Sequence, residues 1–460
     1  MTVLALALVA GVPLFMLARS GELDGKPERF VGVVVVALLV ESLLYPAQAD
    51  VPVGPFRIPV MGGALRLHDY VVLIGLLARG TVRRIPRHVT VSGMLWFLSF
   101  VWLTTAAVRG LLVGHETGIV LFSAESLIGL FGGFALVAGC DPSRLSSMLR
   151  TPFVVPLGAL VLLLLPNEAS SEPRTFLGTG LGGISVDTAS VFVALGTFVV
   201  LVEWSSRQHN RWAAWLMLPL LAAPFTIEQR ATLIHLGGSI LVVVWAMTRT
   251  QWRSRIHVPR VQLLWGALAI VGAVMLVLMV QLSETEGSIP FAEYYEDTFE
   301  SENQQLSAQA RRDSFALGID EWSDVPLYGY GLGHTYEIVR PYGGLEQPAT
   351  FDNVPLDLLV RSGLVGLALV AAAYISTLRD GVRTWRRHRD SAVAALALAA
   401  VAVMVGLGLK AGFESILEKG KLTVVLGMSA GAIVAAVRHP GPETRSSPRR
   451  LEHRGASQWI

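Results

Sequence analysis

The chain has 460 residues, of which 52% are hydrophobic and only 16% charged, with a mean hydropathy of +0.54. Soluble domains carry about 25% charged residues, so this composition excludes an ordinary soluble domain. A net charge of +2 says little about partners, because the charges segregate by side, and Cys140 as the single cysteine excludes an intramolecular disulfide.

Apolar runs of spanning length recur along the chain. They predict membrane helices near 2–18, 30–45, 58–79, 91–109, 119–139, 152–166, 185–204, 212–226, 231–247, 261–281, 355–378, 391–409 and 421–437. That makes about thirteen, each able to cross a hydrocarbon core of about 30 Å at 1.5 Å per residue. The first run lacks a basic leader and a small-residue cleavage site, so it reads as a span, not a signal peptide. The third is interrupted at its start by Pro59 and Gly62-Gly63 and holds Arg66, His68 and Asp69. The expected fold is therefore an all-α polytopic membrane protein.

Orientation follows from the basic residues. Arg19, Lys26 and Arg29; Arg83, Arg84 and Arg87; Arg144 and Arg150; Arg207 and Arg211; Arg249, Arg253, Arg255 and Arg260; Arg379, Arg383, Arg386, Arg387 and Arg389 all fall in alternate loops. Thirteen spans put every one of these loops on the same side, the cytoplasmic one, together with the Pro/Arg/Ser-rich tail, which reads as disordered. The predicted organisation is membrane helices over 1–281, an extracytoplasmic loop over 282–353, three more helices over 354–437 and a cytoplasmic tail over 438–460.

The long outer loop is acidic: from Glu284 to Asp352 there are fourteen Asp and Glu against Arg311, Arg312 and Arg340. Helical spacing over 306–319 predicts an amphipathic surface helix. An arginine fork suits phosphate oxygens and stays charged when partly desolvated, so Arg230, at the outer start of a span, and Arg311 or Arg312 are candidate anion-binding residues. The alternatives are an interfacial anchor for Arg230 and exposed ion pairs for the other two, of which at most one faces a given site, since neighbours on a helix diverge by about 100°. Gly329-Tyr330-Gly331-Leu332-Gly333 either lets backbone approach a substrate at Gly331 and Gly333 or forms tight turns. It follows no strand, which argues against a dinucleotide site.

His334 and Asp352 are the outer residues suited to accept a proton, although Asp352 is equally well placed to cap the following helix. His235 reads as a packing residue within its span. Lys410, Lys419 and Lys421 flank the last outer turn and either add positive potential or anchor helix ends. The acidic pairs at 296–297 and 320–321 lack His or Cys ligand spacing, so no metal site and no cofactor is expected.

Three segments together resemble the O-antigen ligase and polymerase superfamily of bacterial membrane glycosyltransferases. They are Gln229-Arg230-Ala231-Thr232-Leu233, similar to a Ser-Arg-small segment opening a span; Pro326-Leu327-Tyr328-Gly329-Tyr330-Gly331-Leu332-Gly333, preceded by Arg311-Arg312; and Phe351-Asp352-Asn353 running into Gly363-Leu364-Val365-Gly366. Thr175-Phe176-Leu177-Gly178 through Asp187-Thr188-Ala189 is a weaker echo. One departure matters: the family motif has His where this chain has Asp352.

The resemblance implies a GT-C-like helical fold and a glycan donor linked to undecaprenyl diphosphate, used at the outer face of the cytoplasmic membrane. It implies a glycan or lipid acceptor, contact with membrane lipids, and no nucleic acid, nucleotide or metal. On this basis Arg230 and one of Arg311 and Arg312 would bind the diphosphate, Asp352 or His334 would take the acceptor's proton, and Asn353 would orient a partner. Polymerase is slightly favoured over ligase, since nothing identifies a lipid A or protein acceptor. A transporter or flippase of lipid-linked sugars is the rival from another class, disfavoured by the lack of repeated halves. Peptidoglycan polymerases of the shape and elongation class fit the Gly-Leu-x-Gly segment less well.

Overall fold

The computed structural model describes residues 28–44, 58–60, 63–65, 67–80, 90–148, 175–176, 179–180, 186–205, 230–248, 302–336, 338–339, 345–346, 351, 353–388, 391–418 and 420–439. The spans expected over 2–18, 152–166, 212–226 and 261–281, the loop up to 301, Asp352, Lys419 and the tail beyond 439 lie outside them.

The described part is built of helices: α1 (Glu28–Leu44), α2 (Leu67–Gly80), α3 (Val91–Val113), α4 (Thr117–Ala138), α5 (Pro142–Met148), α6 (Val186–Ser205), α7 (Arg230–Thr248), α8 (Glu302–Asp324), α9 (Val354–Arg387), α10 (Ser391–Ala411) and α11 (Gly420–Arg438). Three antiparallel hairpins of two or three residues a side, β1–β2 (Ile58–Val60, Gly63–Leu65), β3–β4 (Thr175–Phe176, Thr179–Gly180) and β5–β6 (Ile338–Val339, Leu345–Glu346), decorate the connections. The first differs from the expectation of a helix from 58: Ile58–Val60, with Pro59 in it, pairs as a strand with Gly63–Leu65, and helix starts only at Leu67.

Among the described residues five helices are long and apolar enough to cross a membrane: α3, α4, α9, α10 (from Ala392) and α11. Their burial separates core from rim. The apolar stretch of α11 is 89% buried and that of α3 only 28%. Phe97, Leu112 and Val91 accordingly stand exposed on α3, as lipid-facing side chains do. α10 and α11 are rich in Ala and Gly, which lets neighbours approach closely. Where α11 crosses α4, a Cβ on Gly427 would lie 2.0 Å from the carbonyl oxygen of Leu130. At that point α4 relaxes into a π-helical turn, Ile128–Gly132.

Helix ends follow the capping rules. The Thr90 hydroxyl accepts from the Gly93 amide at 3.1 Å to open α3. Gly114 closes it in the left-handed conformation at φ 93°, its amide bonded back to Leu111.

Candidate functional site

The site begins with a fault in a helix. α9 is 34 residues long, and Gly363 within it has φ 69° and ψ −176°, far from helical values. A break of this kind orphans carbonyls on one side and amides on the other, which apolar surroundings penalise. The segment Pro326–Leu332 meets them. The amides of Tyr330 and Gly331 donate to the carbonyls of Val360 and Arg361, each at 2.9 Å. In return Leu364 N donates to Pro326 O at 2.9 Å and Val365 N to Leu327 O at 3.4 Å. Trp102 of α3 adds a bond from its indole nitrogen to the Ser362 carbonyl, 2.9 Å, and its ring stacks on Tyr328.

Glycine is required along this stitch because backbone meets backbone. A Cβ on Gly329 (φ 66°) would lie 2.5 Å from the Arg361 carbonyl carbon, and one on Gly331 (φ 99°) 2.6 Å from the Gly110 amide nitrogen. Gly333 (φ 84°) lies against Val120 in the same way. The close approach that glycine permits here is to α3, α4 and α9, and all three glycines are buried.

The stitch presents His334. Its Nε2 lies 3.1 Å from Glu321 Oε2 on α8, and its ring stacks on Tyr330 at 4.2 Å and 7°. The His115 ring lies 5.7 Å away, with Nδ1 donating to the Leu332 carbonyl at 3.1 Å. Partial burial holds the His334 pKa below the ordinary histidine value, His115 and Arg361 push the same way, and the Glu321 carboxylate opposes them. A neutral imidazole donating from Nε2 to a carboxylate carries its lone pair on Nδ1, the arrangement of a poised general base. Burial and the carboxylates of Glu321 and Asp324 raise the Tyr330 phenol.

Beneath the stitch Arg361 is buried, 4% exposed. Its Nε pairs with Asp357 Oδ1 at 3.2 Å and its Nη1 donates to Ser123 Oγ of α4 at 3.2 Å, while Nη2 has no hydrogen-bond partner among the described residues. The group borders a cavity of about 30 Å³ lined in part by Ser123, Ser126, Leu332 and Asp357, room for a single water. Asp357 also accepts from the Phe351 amide at 3.3 Å, tying down the approach to α9.

Of the residues expected from sequence, His334, Gly331 and Gly333 share this stitch. Asn353 begins α9 as its N-cap, its Oδ1 accepting from the Leu356 amide at 2.8 Å, so the capping considered for Asp352 falls to its neighbour. Arg311 and Arg312 are both exposed on α8, ten and nine residues before Glu321, about 15 Å along the axis. Arg230 is the first residue of α7. Glu321, Tyr330, His115 and Arg361 are the partners that sequence reasoning did not assign. His115 comes from the turn between α3 and α4 and Arg361 from α9, both outside the loop, while Tyr330 and the acidic pair at 320–321 were named in the sequence without this role.

Several apolar helices of spanning length, with a polar cluster held on a broken helix, fit an integral membrane protein. Residues 212–371 match the family model described as O-antigen ligase, which supports the O-antigen ligase and polymerase superfamily. That family indicates a glycosyltransferase of the ligase type. No curated protein matches the chain.

Proposed function

We propose that this protein transfers or polymerises glycan from an undecaprenyl-diphosphate-linked donor at the outer face of the cytoplasmic membrane, polymerisation being slightly favoured. The observation that carries the reading is the stitch of Pro326–Leu332 onto the break in α9, which lies wholly inside the matched segment and presents a half-buried histidine bonded to Glu321. In this reading the chain crosses the membrane about thirteen times. Residues 282–353 form the extracytoplasmic loop, between membrane parts over 1–281 and 354–437, and 438–460 form a cytoplasmic tail.

The chemistry is displacement at the anomeric carbon. The acceptor hydroxyl oxygen bonds to that carbon as the bond to the diphosphate oxygen breaks, and polyprenyl diphosphate leaves with the electron pair. The hydroxyl proton passes to His334 Nδ1 or to the Asp352 carboxylate. Arg230, with Arg311 or Arg312, takes up the charge growing on the leaving diphosphate, so that no metal ion is needed. Asn353 holds the start of α9, and Gly331 and Gly333 hold the loop that carries the base.

The test is turnover of purified protein with an undecaprenyl-diphosphate oligosaccharide, with and without EDTA, read on lipid-linked glycan gels. A ladder insensitive to EDTA and lost in Arg230→Ala supports a metal-independent polymerase, and single transfer to an added acceptor supports a ligase. Asp352→Ala and His334→Ala tell which group takes the proton. Absence of turnover with movement of the donor across proteoliposomes would replace this reading with transport.

A further inference from the structure

A second buried polar cluster lies away from His334, where α6, α7 and α10 meet. The Lys410 side chain, 0% exposed, donates from Nζ to Ser190 Oγ of α6 at 2.7 Å and to Thr232 Oγ1 of α7 at 3.3 Å. Its charge is met by Glu414 Oε2 at 3.1 Å, on the turn after α10. One ammonium thus ties three helices together within two residues of Arg230.

Packing further along α7 is equally tight. A Cβ on Gly238 would lie 3.1 Å from the Gly406 Cα, and one on Gly406 would lie 2.4 Å from the His235 ring. Ser239 Oγ donates to the Ala402 carbonyl at 3.1 Å. The register of α7 against α10 is therefore fixed through its middle turns, and Lys410 extends that fixation to the first turn. A buried ion pair is a poor source of stability, since apolar side chains of equal volume serve as well. Ionisable groups inside a membrane bundle are costly and mark function.

We infer that Lys410 is a positioning residue for the diphosphate-binding step, clamping the first turn of α7 so that Arg230 meets the donor at a fixed place. The inference rests on the reading of Arg230 given above. Lys410 itself does not touch the donor: it is wholly buried, hydrogen-bonded to Ser190 and Thr232 and paired in charge with Glu414. It acts through the helix start, as outer-shell residues act on those that hold a ligand.

The experiment measures binding of undecaprenyl diphosphate alone to the full chain in detergent by titration calorimetry. Lys410→Met and Thr232→Val are compared in the wild-type and Arg230→Ala backgrounds. Loss of an outer-shell partner costs about 10- to 100-fold, so each variant is expected to weaken binding at least tenfold in the first background and by less than about twofold in the second. Thr232→Ser, which keeps the hydroxyl, is expected to retain the wild-type Kd. Equal losses in both backgrounds, or unchanged affinity, would overturn the inference. If Lys410→Met does not fold, Thr232→Val and Ser190→Ala carry the same comparison. Wild-type protein that fails to bind the probe sinks the diphosphate reading itself. Wild-type binding that Arg230→Ala leaves intact frees the diphosphate reading from Arg230 and overturns the inference alone.

Discussion

The amide of Gly331 donates to the carbonyl of Arg361 at 2.9 Å, so a residue of the polar loop completes the backbone of a membrane helix. The same glycine lies against Gly110, where any Cβ would fall 2.6 Å from backbone nitrogen. Loop, α3 and α9 are locked at one point.

That lock separates two glycines of similar backbone conformation. Gly114 has φ 93° and open space around it, so Gly114→Ala carries only the left-handed strain, about 1 kcal/mol. Gly331→Ala adds a backbone collision and is expected to cost at least about 3 kcal/mol. Thermal unfolding in detergent should show a clearly larger fall in Tm for Gly331→Ala; equal falls would mean the stitch is looser than described.

Glu321 opposes the other influences on His334, stabilising the imidazolium it bonds at 3.1 Å. Glu321→Gln removes that opposition, and the His334 pKa falls further. A base must be deprotonated to act, so activity is lost as pH drops through its pKa. The acid limb of the pH–rate profile is therefore expected to move to lower pH in Glu321→Gln and to vanish in His334→Ala. A limb that stays put in both variants assigns the base to another group, Asp352 first.

Asn353 separates capping from catalysis. Asn353→Ala is expected to lower stability by about 1 kcal/mol, and Asn353→Ser to restore it. If transfer recovers along with Tm in the serine variant, the side chain serves only α9. A transfer rate that stays low at restored Tm would show that the amide also orients a substrate.

Arg361 and Asp357 form a buried pair, 5% and 4% exposed in their side chains. Removing one partner strands the other, a cost of about 3–5 kcal/mol, whereas removing both charges together is far milder. Arg361→Gln should thus destabilise more than Arg361→Gln with Asp357→Asn, read as Tm of the detergent-solubilised protein. The opposite order would mean the pair is open to water.

Helices such as α10, expected over 391–409 and found over Ser391–Ala411, were legible because apolar runs of spanning length admit few other structures. α9 ran past its expected end at 378 to Arg387, because the limit was drawn at the first charges. Its 34 residues exceed the roughly 20 that cross a bilayer core. His334 and the glycines were visible as residue types. Their surroundings were not, because His115 and Arg361 reach the loop only through packing of α3, α4 and α9, which no local spacing encodes. The break at Gly363 was hidden likewise: a glycine in an apolar run reads as helix until its orphaned groups are seen to have partners elsewhere.

The fault at Gly363 also sets an order of assembly. The half-helix beginning at Leu364 holds amides that are answered by the carbonyls of Pro326 and Leu327, while Leu332 N reaches back to Ala106 O on α3. During synthesis α3 and α4 emerge first and present an unfinished surface. The polar segment must then arrive before α9 can settle into lipid without bare backbone. The loop is thus a structural part of α9, and a chain lacking Pro326–Leu332 would leave the backbone groups on both sides of Gly363 unanswered.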